Sequence, residues 1–291
     1  KECDWSSDVC SSDLNKQNMK NYVLLNAIIG DICGSVYEFP KECRKKEIPD
    51  KLINDECHFT DDTIHTIAVA TAIMENPENP NFVAHLQDWS RKYPHAGYGS
   101  MMSNWINSDD PKPYNSFGNG SAMRVSPCGY MTMNLELAEN SASATHNHPE
   151  GIKGAKCISD EIGSILFMKD KLKTPSEIEL KNLISEILVK YYPDYDLGVS
   201  LDERRSTYKF DSTCQGSVPQ SIQCVLESNS YEETIGLAIS MGGDSDTMAA
   251  ISGSIAGCMW EIPDNLVDFA FKKLDSAMIE VVKDFDKFIG I

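Results

Sequence analysis

An all-α domain is what this sequence predicts, and three observations predict it. Apolar residues recur at helical spacing over long stretches. Turn-bounded runs of alternating polarity, the mark of strands, are scarce. Three segments are rich in small residues, which let helix backbones approach closely, as a multi-helix core requires.

Taken in chain order, Gly30–Ser35 is the first small-residue segment, in a helix ending on Glu38 before the charged loop Lys41–Lys51. Thr63–Glu75 sets Ile64, Ile67, Ala68, Thr71 and Ala72 on one face, with Asp61 and Asp62 at its N-terminus. Tyr93–Ser100 and Asp109–Ser121 read as functional loops, and Gly151–Gly163 is the second small-residue helix. Pro175–Tyr192 and Pro219–Glu227 read as helices with proline in the first turn, and Tyr231–Met241 shows similar spacing. Arg205–Phe210 is the best strand candidate. Ala249–Gly257 is the third small-residue helix. Asp264–Phe288 carries Leu266, Val267, Ala270 and Phe271, then Met278, Val281, Val282 and Phe285, as two helices. There is no repeat, low-complexity tract or linker, so residues 19–291 are expected to form a single domain.

The first residues read differently. Lys1–Asn18 are polar and aperiodic, and Asp4–Leu14 back-translates in one frame to a common sequencing-adapter read. Residues 1–18 are therefore expected to be a non-native, disordered segment, with the natural start at Met19.

At 291 residues, 41% hydrophobic and 24% charged, the composition is that of a soluble globular protein. The longest apolar stretches, such as Tyr22–Ile29, are too short to span a bilayer, and no secretory segment precedes them. The expected setting is the cytoplasm, with no membrane partner. Ten cysteines are scattered without a CxxC pair, which reads as buried thiols in a reducing compartment. A net charge of −18 argues against a general nucleic-acid binder. An anionic small molecule stays open, because bound cations reverse the local field.

Two clusters dominate the chemistry: Thr60-Asp61-Asp62-Thr63 and Asp244-Ser245-Asp246-Thr247, each opening a helix. Thr and Asp are preferred N-caps, which is the plain reading of the first cluster. Capping needs one acceptor, however, and the second cluster sets two aspartates flanked by hydroxyls after Gly242-Gly243. Four carboxylates with hydroxyls are hard ligands that suit Mg²⁺ or Ca²⁺. Brought together, the clusters would form a two-metal site.

The loop Asn115–Arg124 holds Ser116-Phe117-Gly118-Asn119-Gly120, whose glycines permit close approach and whose amides open into a helix as an anion nest. A surface turn is the alternative. Phe117 either stacks on a base or belongs to the core. His146 and His148, spaced i, i+2, do not suit zinc, and a bond from one of them to a phosphate or ribose stands beside a structural role. His65, one turn after Asp62, is expected to orient that carboxylate. A helix-terminal glutamate such as Glu38 is usually solvated.

In order, these motifs read GDxxGxxxE (Gly30, Asp31, Gly34, Glu38), TDDT (60–63), GNGxAMR (118–124), THxHP (145–149) and GGDxDT (242–247), then AxxGxIAG (250–257). Together, from about Tyr22 to Pro263, they resemble the ADP-ribosylglycohydrolases, which include the enzyme that reactivates ADP-ribosylated dinitrogenase reductase. The resemblance implies a compact orthogonal multi-helix bundle with a binuclear metal cleft. It implies two Mg²⁺ ions, or Mn²⁺, held by Thr60, Asp61 and Asp62 from one side and Asp244, Asp246 and Thr247 from the other. Glu38 falls at the catalytic or gating glutamate, and Asp61 and Asp62 share the catalytic assignment. Gly99, Ser116, Phe117, Gly118, Asn119, Gly120 and His146 match ADP-ribose-contacting positions. Phe210–Val218 departs from the better-known members on the acceptor side.

The implied reaction is cleavage of the bond between C1″ of ADP-ribose and an acceptor, reversing mono-ADP-ribosylation of a protein or small molecule, by a monomer. Two rivals remain. Asp244-Ser245-Asp246-Thr247 fits the DxDxT nucleophile of haloacid-dehalogenase-like phosphatases, where it ends a hydrophobic strand. A non-catalytic ADP-ribose-binding module is the other, with intact motifs counting against it.

Overall fold

The computed structural model describes residues 22–38, 46–131 and 134–291. The segment expected to be non-native, 1–18, lies outside them. Among the described residues there are fifteen helices and no named strand. The first half comprises α1 (Leu25–Gly34), α2 (Asp61–Glu75), α3 (Phe82–Lys92), α4 (Ser100–Ile106), α5 (Gly120–Met123), α6 (Ser126–Gly129) and α7 (Leu135–Ser143). Then come α8 (Pro149–Leu172), α9 (Glu177–Tyr191), α10 (Leu201–Thr207), α11 (Cys214–Glu227), α12 (Tyr231–Ser240), α13 (Ser245–Met259), α14 (Asp264–Lys273) and α15 (Ser276–Ile289).

The small-residue segments fall on the three central helices. Helices α1 and α13 run antiparallel in backbone contact: a Cβ on Gly30 would sit 2.1 Å from the Ala249 carbonyl oxygen, and one on Gly34 2.5 Å from the Asp246 Cα. Farther along, Gly253 and Gly257 make room for Asn26. Only residues without a side chain at these points allow that approach. Helix α8, capped by the His148 side chain and opened by Pro149, threads the other side, where Gly154 meets the Cys214 side chain of α11. Around them Leu25, Ile28, Ile32, Ile64, Ile67, Ile158, Ile162, Val218, Ile222 and Ile255 are buried in one core.

Two elements correct the sequence reading. Arg205–Phe210 is not a strand. Ser200 and Glu203 form a reciprocal capping box that starts α10, so Arg205 lies in a helix and the chain extends only after Thr207. Helix α11 begins five residues before Pro219, because the Thr213 side chain caps it at the Gly216 amide. Pro219 therefore lies inside the helix and not in its first turn. The two-helix reading of Asp264–Phe288 corresponds to α14 and α15, separated where Asp275 caps the second.

All seven cysteines among the described residues are free and buried. Among these residues, no helix is long and apolar enough to cross a membrane.

Candidate active site

The N-termini of α2 and α13 meet. The Thr247 hydroxyl donates to Asp62 Oδ2 at 3.1 Å, joining the two Thr/Asp clusters directly. The Gly34 contact with Asp246 sets how deeply α13 sits, and Gly242, at φ +67°, turns the chain just ahead of Asp244. Asp244 is then fixed by the Asn119 side-chain amide, which donates to its Oδ2 at 2.8 Å. Among the described residues no strand precedes Asp244, so the phosphatase reading loses the strand its motif requires.

These groups line a cleft of about 570 Å³, within the range of small-molecule sites. Thr60, Asp61, Asp62, Asp244, Asp246, Thr247 and Glu38 all line it. Oxygens of Asp31, Asp62 and Asp246 lie within 4.8 Å of one another, and so do oxygens of Glu38, Asp244 and Asp246. Burial, then neighbouring carboxylates, raises the pKa of Asp62 and Asp246 well above the usual carboxylate range. Glu38 is pushed up to about 8 by burial and by Asp244 and Asp61. Asp61 keeps part of its surface open to the cleft, yet the protein around its carboxyl pushes it up to about 7, with Asp31 and Asp244 adding to the effect.

Packing acids together in this way is unfavourable without compensating positive charge. Asp62 Oδ1 is buried with no hydrogen-bond partner in the protein. An orphaned carboxylate oxygen among hard donors fits a divalent cation, which would reverse these pKa shifts. The donor set suits Mg²⁺ or Mn²⁺ and offers no soft ligand.

Apart from Phe117, the loop Ser116–Gly120 lines the same cleft and reaches the acidic cluster through Asn119. This loop is pinned to the segment before α11: Asn119 N donates to the Ser212 carbonyl at 2.8 Å, and Cys214 N to the Phe117 carbonyl at 2.9 Å. Behind the loop, Arg124 Nη2 donates to the Thr145 hydroxyl at 2.8 Å. The same hydroxyl pairs with His146 Nδ1 at 2.7 Å. Burial, then Arg124, lowers the His146 pKa well below its ordinary value. The lowered pKa favours the neutral imidazole, whose Nε2 faces Gly118 and Gly120.

Of the positions the sequence singles out for ADP-ribose, Gly99, Ser116, Gly118, Asn119, Gly120 and His146 line the cleft. Phe117 does not. It is 46% exposed, with its ring edge-on to His148 at 5.3 Å. His65 does not orient Asp62, since its Nε2 pairs with the Ser90 hydroxyl at 3.1 Å. Sequence reasoning gave no role to Asp31 or Arg124, both fully buried, nor to Tyr114, Met102, Phe210 or Ser212, which line the cleft. The signal for Asp31 and Arg124 was their place inside the quoted motifs, where a charge on a buried helix face calls for a partner.

Known proteins resemble this chain along most of its length. Mouse ADP-ribosylhydrolase ARH3 is 24% identical, with 83% of this chain and 84% of that protein covered. The ADP-ribosylarginine hydrolase Tri1 of Pseudomonas putida is 22% identical, covering 82% and 70%. A solved structure described as an ADP-ribosylglycohydrolase-related protein complex shares the fold, with a TM-score of 0.64 at 19% identity and coverage of 91% and 95%. The ADP-ribosylglycohydrolase family profile matches residues 22–281, and the chain belongs to that family of glycosidic-bond hydrolases.

Proposed function

We propose that this enzyme is a Mg²⁺-dependent ADP-ribosylhydrolase that removes single ADP-ribose groups by cleaving the bond from C1″ to an acceptor on a protein or small molecule. The observation that carries this reading is the Thr247–Asp62 contact, which joins the two acidic helix starts in a cleft that residues of the Ser116–Gly120 loop also line. The activities by which the mouse and Pseudomonas relatives are named support it.

In this reading Thr60, Asp61 and Asp62 hold one side of a pair of divalent ions, and Asp244, Asp246 and Thr247 the other. When bound, the ions would supply positive charge that draws the sugar hydroxyls in and offsets the carboxylates. The Ser116–Gly120 loop and His146 bind the diphosphate and ribose end. C1″ passes through an oxocarbenium-like state. Glu38 stands at the cleft wall as the acid/base, carrying a proton for the departing acceptor or taking one from the incoming water, with Asp61 or Asp62 as the other candidate. Asn119 keeps Asp244 turned into the site.

Action as a monomer belongs to this reading, and the buried free thiols among the described residues support a reducing compartment such as the cytoplasm. A panel of mono-ADP-ribosylated substrates, assayed with Mg²⁺ and with EDTA, tests the reading. Release of ADP-ribose that stops in EDTA is expected. Turnover untouched by EDTA defeats the metal assignment, full turnover in Glu38→Gln defeats the acid/base assignment, and tight ADP-ribose binding without release marks a binding module.

A further inference from the structure

Asp31 is fully buried on α1, and four donors converge on its carboxylate. Thr60 N donates to Oδ2 at 2.9 Å and Thr63 N to Oδ2 at 3.1 Å. The Thr60 hydroxyl donates to Oδ1 at 2.7 Å, and the Thr63 hydroxyl makes a short bond to Oδ2. Three of these bonds fall on Oδ2 and one on Oδ1, which commits Oδ2 fully and Oδ1 in part. Proximity to Asp62 and Asp246 alone would make Asp31 a cation ligand; its hydrogen bonding makes it a cap for the start of α2, supplied by another helix.

The Thr60 hydroxyl has a single proton, and Asp31 takes it. Thr60 Oγ1 also lies 3.4 Å from Asp62 Oδ2, and that contact is therefore oxygen lone pair against carboxylate. Two such acceptors side by side, next to the orphaned Asp62 Oδ1, are an arrangement that favours a cation over a hydrogen bond. Without Asp31, the Thr60 proton would turn to Asp62 Oδ2, which already accepts from Thr247, and take its remaining lone pair.

We propose that Asp31 is a positioning residue of the metal centre: it draws the hydroxyl protons of Thr60 and Thr63 and both their amides onto itself, so that no Thr60 proton competes with a cation for Asp62, and it binds no ion. This inference rests on the metal reading above. An Asn at position 31 would turn an N–H₂ toward one of the four donors, leaving that group unpaired and the Thr60 proton free to move. Thr63→Val keeps shape and removes one donor from Asp31 without touching a proposed ligand.

The test is Mg²⁺ and Mn²⁺ binding by titration calorimetry on the whole chain, for wild type, Asp31→Asn, Thr63→Val and Asp246→Asn, with apo melting temperatures in EDTA alongside. Residues that orient ligands typically govern affinity by about 10–100-fold. The expected result is a weakening of that size for Asp31→Asn, a smaller one for Thr63→Val, and abolished binding for Asp246→Asn. Wild-type affinity in both Asp31→Asn and Thr63→Val overturns the inference, as does loss in Asp31→Asn as complete as in Asp246→Asn, which would make Asp31 a ligand. A lower apo melting temperature with unchanged affinity also overturns it, because a purely structural cap would act that way. If Asp31→Asn does not fold, Thr63→Val decides the matter. A wild type that binds neither ion defeats the metal reading instead, and so separates the two failures.

Discussion

Thr247 and Asp62 lie 185 residues apart in sequence and 3.1 Å apart in space, with the hydroxyl of one donating to the carboxylate of the other. Each belongs to the first turn of a helix, so two helix N-termini point their positive ends at one cluster of acids. The dipoles lessen the repulsion without cancelling it, and the rest of the compensation falls to a cation.

Removal of that cation is expected to register as stability. A ligand at 100 times its Kd stabilises the native state by about 2.7 kcal/mol, worth several degrees of melting temperature in a chain of this size. Wild type should melt lower in EDTA than in Mg²⁺, while Asp246→Asn should melt at the same temperature in both. Scanning calorimetry checks this, and a metal-dependent shift retained in Asp246→Asn would contradict it.

Asn119 holds Asp244 through one hydrogen bond to a charged group. Such a bond is worth about 1.5–3 kcal/mol, so Asn119→Ala is expected to lower kcat/KM by about 10–150-fold if that energy is fully expressed in the transition state. Asn119→Asp, which sets a further carboxylate against Asp244, should be worse than Asn119→Ala. Steady-state kinetics with one mono-ADP-ribosylated substrate ranks the three proteins.

Gly34 touches the Asp246 backbone, and Gly30 touches Ala249 one turn deeper. Alanine at either position must push α1 from α13 and is expected to cost about 1–3 kcal/mol in urea unfolding. Only Gly34→Ala should also weaken Mg²⁺ binding, because only it displaces a residue of the acidic cluster. Equal metal affinity in the two variants would refute the distinction.

Glu161 supplies a pH dependence away from the cleft. It is fully buried on α8, and neither carboxylate oxygen has a hydrogen-bond partner in the protein. Burial, then Asp160, raises its pKa well above 4.5. A raised folded pKa means the stability associated with this group is fully present below 4.5 and is lost as pH rises through the folded value. Glu161→Met is therefore expected to add about 1–3 kcal/mol near neutral pH and little at pH 4. Urea midpoints across that range give the answer, and a pH-independent difference would count against it.

The helical class and both acidic clusters were legible in the sequence for local reasons. Hydroxyls and carboxylates at a helix start are at once caps and hard ligands, so Thr60–Thr63 and Asp244–Thr247 carry their meaning in a few residues. Asp31 does not. Its partners are 29 and 32 residues away, and a capping role across two helices leaves no local pattern. His65 was misread for the same reason, its partner Ser90 lying on another helix. The strand expected at Arg205–Phe210 rested on six alternating residues, and the Ser200–Glu203 capping box outweighs so short a run. Arg124 carries no role in the sequence reading beyond ending a motif, yet its guanidinium holds the Thr145 hydroxyl that pairs with His146.

The glycine face shared by α1 and α13 also bears on the order of folding. Asn26 and Tyr231, bonded at 2.7 Å, already span 205 residues, and the α1–α13 contact spans more. A chain leaving the ribosome displays α1, Asp61 and Asp62 long before Ser245–Met259, the helix in backbone contact with Gly30 and Gly34, exists. Closing so long a loop is slow and comes late. The nascent protein therefore holds only half of its acidic cluster for most of its synthesis, and the charge repulsion of the finished site arises only when the helix that completes it can dock.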